Sequence, residues 1–240
     1  MQATELIMVN HTKTDKSSLL SQVLTVGSVA DGAALDRLPG MSVASRCDVV
    51  EFRVDAWPHL APLGVERARE CPVPVLVTAR RQDEGGMNGL TSAERQHLLE
   101  TFLPVAAFVD VEIASFTEMA GLVTQARAAG VLVVGSFHDF TDTPAPDDLR
   151  RKRDAALAAG ADLVKFSATL RSAADAATLA ALLEEPAHPP LSVMGMGSLG
   201  RVSRLLFAKL GSVLNYGYLD HATIPGQWEA GRLRELITEM

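Results

Sequence analysis

Lys165 stands in the run Ala161-Asp162-Leu163-Val164-Lys165-Phe166-Ser167, among residues that favour a buried strand. A lysine there either carries its ammonium to a rim on its aliphatic stem or keeps it in a dry pocket. In a dry pocket desolvation disfavours the charged form and leaves free amine as a nucleophile. The segment alone leaves both readings open. Other polar residues also end apolar runs: Glu51, Arg53 and Asp55; Thr78, Arg80, Arg81 and Glu84; Asp110 and Glu112; Ser136, His138 and Asp139; Arg201 and Arg204; His221, Thr223 and Gln227. A neutral lysine amine, a histidine that moves protons near neutral pH and a carboxylate to orient it form a set for activating a carbonyl. Glu51, Arg53 and Asp55 would share one face of a strand, and burying them requires pairing or a ligand. A structural Glu51–Arg53 pair and a functional one remain open. Glu112 and His138 have metal-ligand chemistry, but no Cys/His cluster supplies further ligands, so no metal is expected.

Positioning these groups on one rim requires a particular scaffold. Short runs rich in Val, Ile and Leu recur at residues 23–26, 49–54, 73–77, 107–113, 131–137, 161–167, 191–196 and 212–218. Helical patterning fills residues 91–102, 115–129, 147–159, 173–184 and 199–210. Thr91 with Glu94 reads as a capping box, Asp147 or Asp148 as a cap, and Gly130, Gly160 and Gly211 as helix stops. Eight units at roughly 27 residues each match the βα repeat. Most runs are apolar on both faces, which marks parallel strands covered by helices. The expectation is an α/β fold, a (β/α)8 TIM barrel formed as a single domain over residues 1–240, with the active site at the carboxyl ends of the strands. Residues 1–20 are expected to be a polar extension or a cap on the barrel floor. The segment 195–200 also reads G-x-G-x-x-G, with Asp220 about twenty residues on, the form of a dinucleotide fingerprint. Too little chain follows to complete a mononucleotide-binding half, and the glycines are read instead as letting backbone approach the barrel mouth.

Composition excludes several functions. The net charge of −7 gives no reason to expect a nucleic-acid partner, and the basic run Arg150–Arg153 is interspersed with acids, as on a solvated helix face. No apolar run approaches a membrane span, and the first residues lack the pattern of a signal peptide. Two cysteines, Cys47 and Cys71, are expected as reduced thiols in a cytoplasmic protein.

Six motifs then occur in order: Glu51-Phe52-Arg53-Val54-Asp55; Thr78-Ala79-Arg80 with Glu84-Gly85-Gly86; Ser136-Phe137-His138-Asp139-Phe140; Asp162-Leu163-Val164-Lys165; the stretch from Met194 through Arg201 to Arg204; and Ile224-Pro225-Gly226-Gln227. Together they resemble the type I 3-dehydroquinate dehydratase family, over nearly the whole chain from about Val23. The resemblance implies a cofactor-free and metal-free hydro-lyase of the shikimate pathway, a barrel and a homodimer, acting on the small molecule 3-dehydroquinate. It implies Lys165 as the imine-forming lysine, His138 as general acid/base and Glu84 as the carboxylate that orients it. Glu51, Arg53 and Arg80 are implied as pocket residues, Arg204 and Gln227 at the substrate carboxylate and hydroxyls, and Thr223 and Thr25 where serine is more usual. Ala79, Gly195 and Ile224 depart from the usual pattern. The loop Glu84 to Gly89 has the glycine content of a mobile element, expected as a lid or a ligand-ordered loop. The alternative carried from the residues is a class I aldolase, another Schiff-base barrel. Its sugar-phosphate substrate would favour amides at a helix N-terminus, whereas Arg204 with Gln227 favours a carboxylate.

Overall fold

The computed structural model describes residues 16–186, 189–224 and 226–240. Residues 1–15, most of the expected N-terminal extension, and Pro225 lie outside the described residues. The strands are β1 (Leu24–Val29), β2 (Val49–Arg53), β3 (Val75–Thr78), β4 (Phe108–Glu112), β5 (Leu132–Asp139), β6 (Leu163–Thr169), β7 (Leu191–Met196) and β8 (Leu214–Tyr218). The α-helices are α1 (Lys16–Leu20), α2 (Ala34–Arg37), α3 (Val43–Arg46), α4 (Ala61–Glu70), α5 (Ser92–Phe102), α6 (Ala120–Ala129), α7 (Pro146–Ala158), α8 (Ala173–Leu183), α9 (Gly200–Lys209) and α10 (Ala230–Glu239).

All strand pairs are parallel, in the order β7-β6-β5-β4-β3-β2-β1-β8. The seam between β7 and β8 is closed by the Val213 amide on the Leu191 carbonyl at 2.8 Å and the Leu214 amide on Ser192 Oγ at 2.8 Å. This is a nearly closed (β/α)8 barrel, as the alternation of apolar runs and amphipathic segments implied.

Two cores follow from strand alternation. Outward residues of the strands meet the helices in one large cluster that includes Phe52, Trp57, Phe102, Val133, Phe166 and Phe207. Inward residues such as Val26, Val49, Leu76, Phe108, Leu132, Leu163 and Leu214 fill the lower barrel, with Leu19 of α1 packed among them. The described part of the N-terminal segment therefore caps the floor. α5 begins with the expected capping box, Thr91 with Glu94, and Gly130 ends α6 in the left-handed region at φ 79°.

Four strands run further than the sequence expectation, and two, β2 and β4, stop one residue short of it. β1 runs to Val29, not to residue 26, and β5 and β6 extend to Asp139 and Thr169. Small and polar residues near the rim read as loop in sequence, yet the ladder continues through them because neighbouring strands satisfy their backbone groups. The segment 115–129 is helical only from Ala120, after a 3-10 turn at Ile113–Ser115.

Candidate active site

Inward side chains toward the carboxyl ends of the strands gather at one mouth or in the charge network directly behind it. β2 supplies Glu51 and Arg53, β4 Asp110 and Glu112, β5 Ser136 and His138, and β6 Lys165 and Ser167. β7 adds Met194 and Met196, and β8 adds Tyr216. The cavity there measures about 240 Å³ and is lined by nine of the ten expected site residues: Lys165, His138, Glu84, Glu51, Arg53, Arg80, Arg204, Thr223 and Gln227. Its size suits a compact molecule.

Thr25 is not among them. It lies at the lower end of β1, paired with Asn215, and its amide donates to Asp48 at 2.8 Å. Ser28, three residues further along the strand and of opposite parity, lines the cavity instead. Thr25 is implied by the resemblance as standing where serine is more usual; β1 continues past it to Val29, and the serine that reaches the cavity is Ser28.

Lys165 is 2% exposed, so the snorkelling alternative is excluded. Its Nζ lies 2.5 Å from Asp110 Oδ2 and 4.5 Å from the centroid of the Tyr216 ring. Asp110 is also held by Arg80, through Nη1 to Oδ1 at 3.0 Å and Nη2 to Oδ2 at 2.9 Å. Arg80 in turn reaches Glu112 at 2.8 Å and Ser136 Oγ at 2.6 Å. Glu112 is further bound by Arg95 of α5, whose Nε donates to the Ala79 carbonyl at 2.7 Å.

The electrostatics follow from sharing one anion between two cations. Burial would raise the Asp110 carboxyl, but Arg80 and Lys165 outweigh it and hold the group well below the usual carboxylate range. For Lys165, burial first and Arg80 next lower the pKa, with Asp110 and Glu51 opposing. The two directions are compatible because much of the Asp110 charge is spent on Arg80. The lysine, the weaker base of the two cations, is the one whose free amine burial favours.

His138 and Glu84 form the second unit. Glu84 Oε2 accepts the His138 backbone N–H at 2.9 Å and lies 3.0 Å from Nδ1. Burial, then Arg80 and Lys165, pushes the His138 pKa well down, so the imidazole is neutral at pH 7. Burial raises Glu84 to about 7, with Glu112 adding to the rise. An Nδ1–H donated to the carboxylate leaves Nε2 as the basic atom.

Glu51 accepts from Ser28 Oγ at 2.6 Å and Thr78 Oγ1 at 2.9 Å. Arg53 pairs with Asp55, not with Glu51, at 2.9 and 2.8 Å. That pair pins the loop after β3: Arg53 donates to the Gly85 carbonyl at 3.1 Å, the Met87 amide to Asp55 at 3.1 Å, and Asn88 to the Asp55 carbonyl at 2.9 Å. The loop from Gly85 to Asn88 is thus hydrogen-bonded to residues at the end of β2. Gly85 takes φ 86°, in the left-handed region, so the turn favours glycine there.

On the opposite side, Arg204 of α9 donates to the Tyr216 carbonyl at 2.7 Å and touches Met194 Sδ at 3.7 Å. Burial without an acidic partner lowers its pKa to about 10. Gln227 Oε1 accepts the Thr223 amide at 3.0 Å. The 195–200 glycines serve packing. A Cβ on Gly195 would lie 2.3 Å from both Leu170 Cδ1 and Ser203 Oγ, and one on Gly226 would lie 2.8 Å from the Gly197 carbonyl. Asp220, the fingerprint's acidic residue, instead accepts the Asp31 amide at 2.8 Å.

Sequence reasoning gave no role to Asp110, Ser28 or Tyr216. Asp110 was visible as a charge on an apolar strand; which cation it joins is a cross-barrel fact. Glu112, considered as a metal ligand, has its oxygens taken by Arg80 and Arg95. Among the described residues, the one group with metal-ligand spacing is Asp31, Asp220 and His221, which excludes both Glu112 and His138.

This geometry has close relatives. The family model for type I 3-dehydroquinase matches residues 31–240. A 3-dehydroquinate dehydratase of Klebsiella pneumoniae subsp. pneumoniae is 36% identical over 228 residues, covering 86% of this chain and 89% of the relative. One from Listeria monocytogenes serovar 1/2a is 33% identical over 218 residues, covering 85% and 86%. In three dimensions, a 3-dehydroquinate dehydratase from Geobacillus kaustophilus superposes with a TM-score of 0.82 at 24% identity, covering 91% of each chain; this likeness is one of fold. The six motifs, the matched family model and relatives above one-third identity agree, and the chain belongs to the type I 3-dehydroquinase family.

Proposed function

We propose that the protein dehydrates 3-dehydroquinate to 3-dehydroshikimate in the shikimate pathway, as a hydro-lyase that works through a lysine imine. The carrying observation is the buried Lys165, sharing one carboxylate with Arg80 in the cavity that also holds the His138–Glu84 pair.

Neutral Lys165 Nζ attacks the substrate ketone carbon, and the carbinolamine loses water to give an iminium, with His138 relaying protons. The iminium draws electrons from the adjacent C–H bond, so His138 Nε2 removes that proton and an enamine forms. Electrons returning from the enamine expel the β-hydroxyl, which leaves as water with the proton from His138. Hydrolysis of the remaining imine frees product and lysine. Glu84 holds the imidazole in the tautomer that exposes Nε2. Arg204 receives the substrate carboxylate, for which a guanidinium offers paired donors. Gln227, Thr223, Glu51 and Arg53 surround its hydroxyls. Arg80, committed to Asp110, Glu112 and Ser136, acts on the lysine through its charge.

Borohydride reduction in the presence of 3-dehydroquinate, read by mass spectrometry, tests this. The wild type gains a covalent adduct and Lys165→Ala gains none, with turnover reduced on the order of 10⁴-fold or more. Absence of an adduct on wild type under turnover conditions sinks the mechanism. Parallel assay of sugar-phosphate cleavage separates it from aldolase chemistry.

Resemblance to a family of homodimers supports a homodimer, and the buried free thiols Cys47 and Cys71 suit a reducing cytoplasm. Among the described residues no helix is long and apolar enough to cross a membrane. A monomeric mass by light scattering, or recovery outside the cytoplasm on fractionation, would remove these two points.

A further inference from the structure

Among the described residues, three buried side-chain nitrogen or oxygen atoms lack a hydrogen-bond partner: Trp57 Nε1, Arg204 Nε and Tyr216 Oη. Trp57 sits in the outer core against Phe52 and Phe102 and does not line the cavity. The other two residues both line it. A buried hydroxyl without a partner forfeits its hydration for nothing in the free protein. That cost is recovered if a ligand supplies the partner.

Tyr216 is 5% exposed, and its ring lies 4.5 Å from the nucleophilic nitrogen of Lys165. Its phenol is therefore within the span of a small molecule joined to that nitrogen. We propose that the Tyr216 hydroxyl is a substrate-binding group, hydrogen-bonding a neutral oxygen of the bound polyhydroxylated keto acid close to the carbon that Lys165 attacks. This deepens the functional reading above and rests on it.

A neutral oxygen fits better than the carboxylate. Burial, with Glu51 and Asp110 next, pushes the phenol pKa well up, so Tyr216 stays protonated and can donate or accept. The same two carboxylates disfavour a third anion beside it. The substrate carboxylate is better met at Arg204, whose unpartnered Nε and buried charge await an anion. Arg204 and Tyr216 are held in mutual register, because Arg204 Nη1 donates to the Tyr216 carbonyl at 2.7 Å.

Tyr216→Phe removes one oxygen and keeps the ring. With 3-dehydroquinate, kcat/KM is expected to fall about tenfold, the loss of one neutral hydrogen bond. The melting temperature is expected to stay unchanged or to rise, since the free protein sheds an unsatisfied group. An unchanged kcat/KM would overturn the proposal, because the hydroxyl would then meet only solvent or nothing. A lowered melting temperature would also overturn it, by showing that the free protein already satisfies the hydroxyl. Wild type measured alongside separates the two levels. Failure of wild type to turn over or to give the borohydride adduct removes the functional reading and this proposal with it. A competent wild type leaves Tyr216→Phe to decide the proposal alone.

Discussion

On the β3–β6 side of the barrel mouth, Arg80, Arg95, Asp110, Glu112 and Lys165 each have a counter-charge within hydrogen-bond reach, whereas on the β7–β8 side Arg204 has a carbonyl and a thioether. Both sides are buried, so dielectric alone does not separate them. The difference is completeness. The paired side has its charges arranged before any ligand arrives, as proton transfer and nucleophilic attack require of groups that must not reorganise. The unpaired side holds a desolvated cation and an unsatisfied hydroxyl, groups whose partners a substrate would bring.

The comparison can be broken at its strongest point first. His138→Ala is expected to lower kcat by about 10²–10⁴-fold while the borohydride adduct on Lys165 still forms; full activity would remove His138 from proton transfer. The sharpest contrast is in stability. Asp110→Asn leaves the buried Arg80 guanidinium short of an anion and is expected to cost about 3–5 kcal/mol, read by denaturant melts. The sign is fixed by linkage. Because the folded-state pKa of Asp110 is depressed below its ordinary 3.8, its contribution is present above that value and lost only as pH falls through the folded one. The cost should therefore be complete at neutral pH. Arg204→Met should behave oppositely, raising KM about 10²-fold without lowering the melting temperature, since a buried cation with no acidic partner is relieved. Equal destabilisation by both variants would erase the distinction between the two sides.

The smallest effect is a pH limb. Glu84 is raised to about 7, so protonation below that pH removes the anion that orients His138. The wild-type kcat/KM should fall by about tenfold per pH unit on the acid side, and the limb belongs to the Glu84–His138 pair as a unit. Glu84→Gln should shift that limb. Identical profiles would assign it to another group.

Much of this was legible in the chain. Apolar runs of the right length and spacing specify parallel strands under helices, because a strand buried on both faces has no room for alternating polarity. Lys165 and His138 stood out because a charged or titratable residue inside such a run is costly unless it is used. The errors cluster at strand ends. Gly27 and Ser28 look like loop residues, yet they continue β1 because β2 and β8 pair with them, and Ser28, not the Thr25 that the resemblance implied, lines the cavity. The loop from Glu84 to Gly89 shows contacts of the same long-range kind, since Arg53 and Asp55 hydrogen-bond it from positions that only the fold brings near.

By itself, then, the sequence determined the barrel and the rim on which polar groups gather, because those depend on residue type and on periodicities of two and about 3.6, which are local properties. The roles expected of Lys165, His138 and Glu84 came with the resemblance of the six motifs to a family. The tertiary structure alone decided how the amine of Lys165 is tuned. That depends on Asp110 being shared with Arg80 across three strands, and on which buried groups, Arg204 and Tyr216 among them, are left without a partner. Coulombic and desolvation effects act over distances that the barrel sets and chain spacing does not.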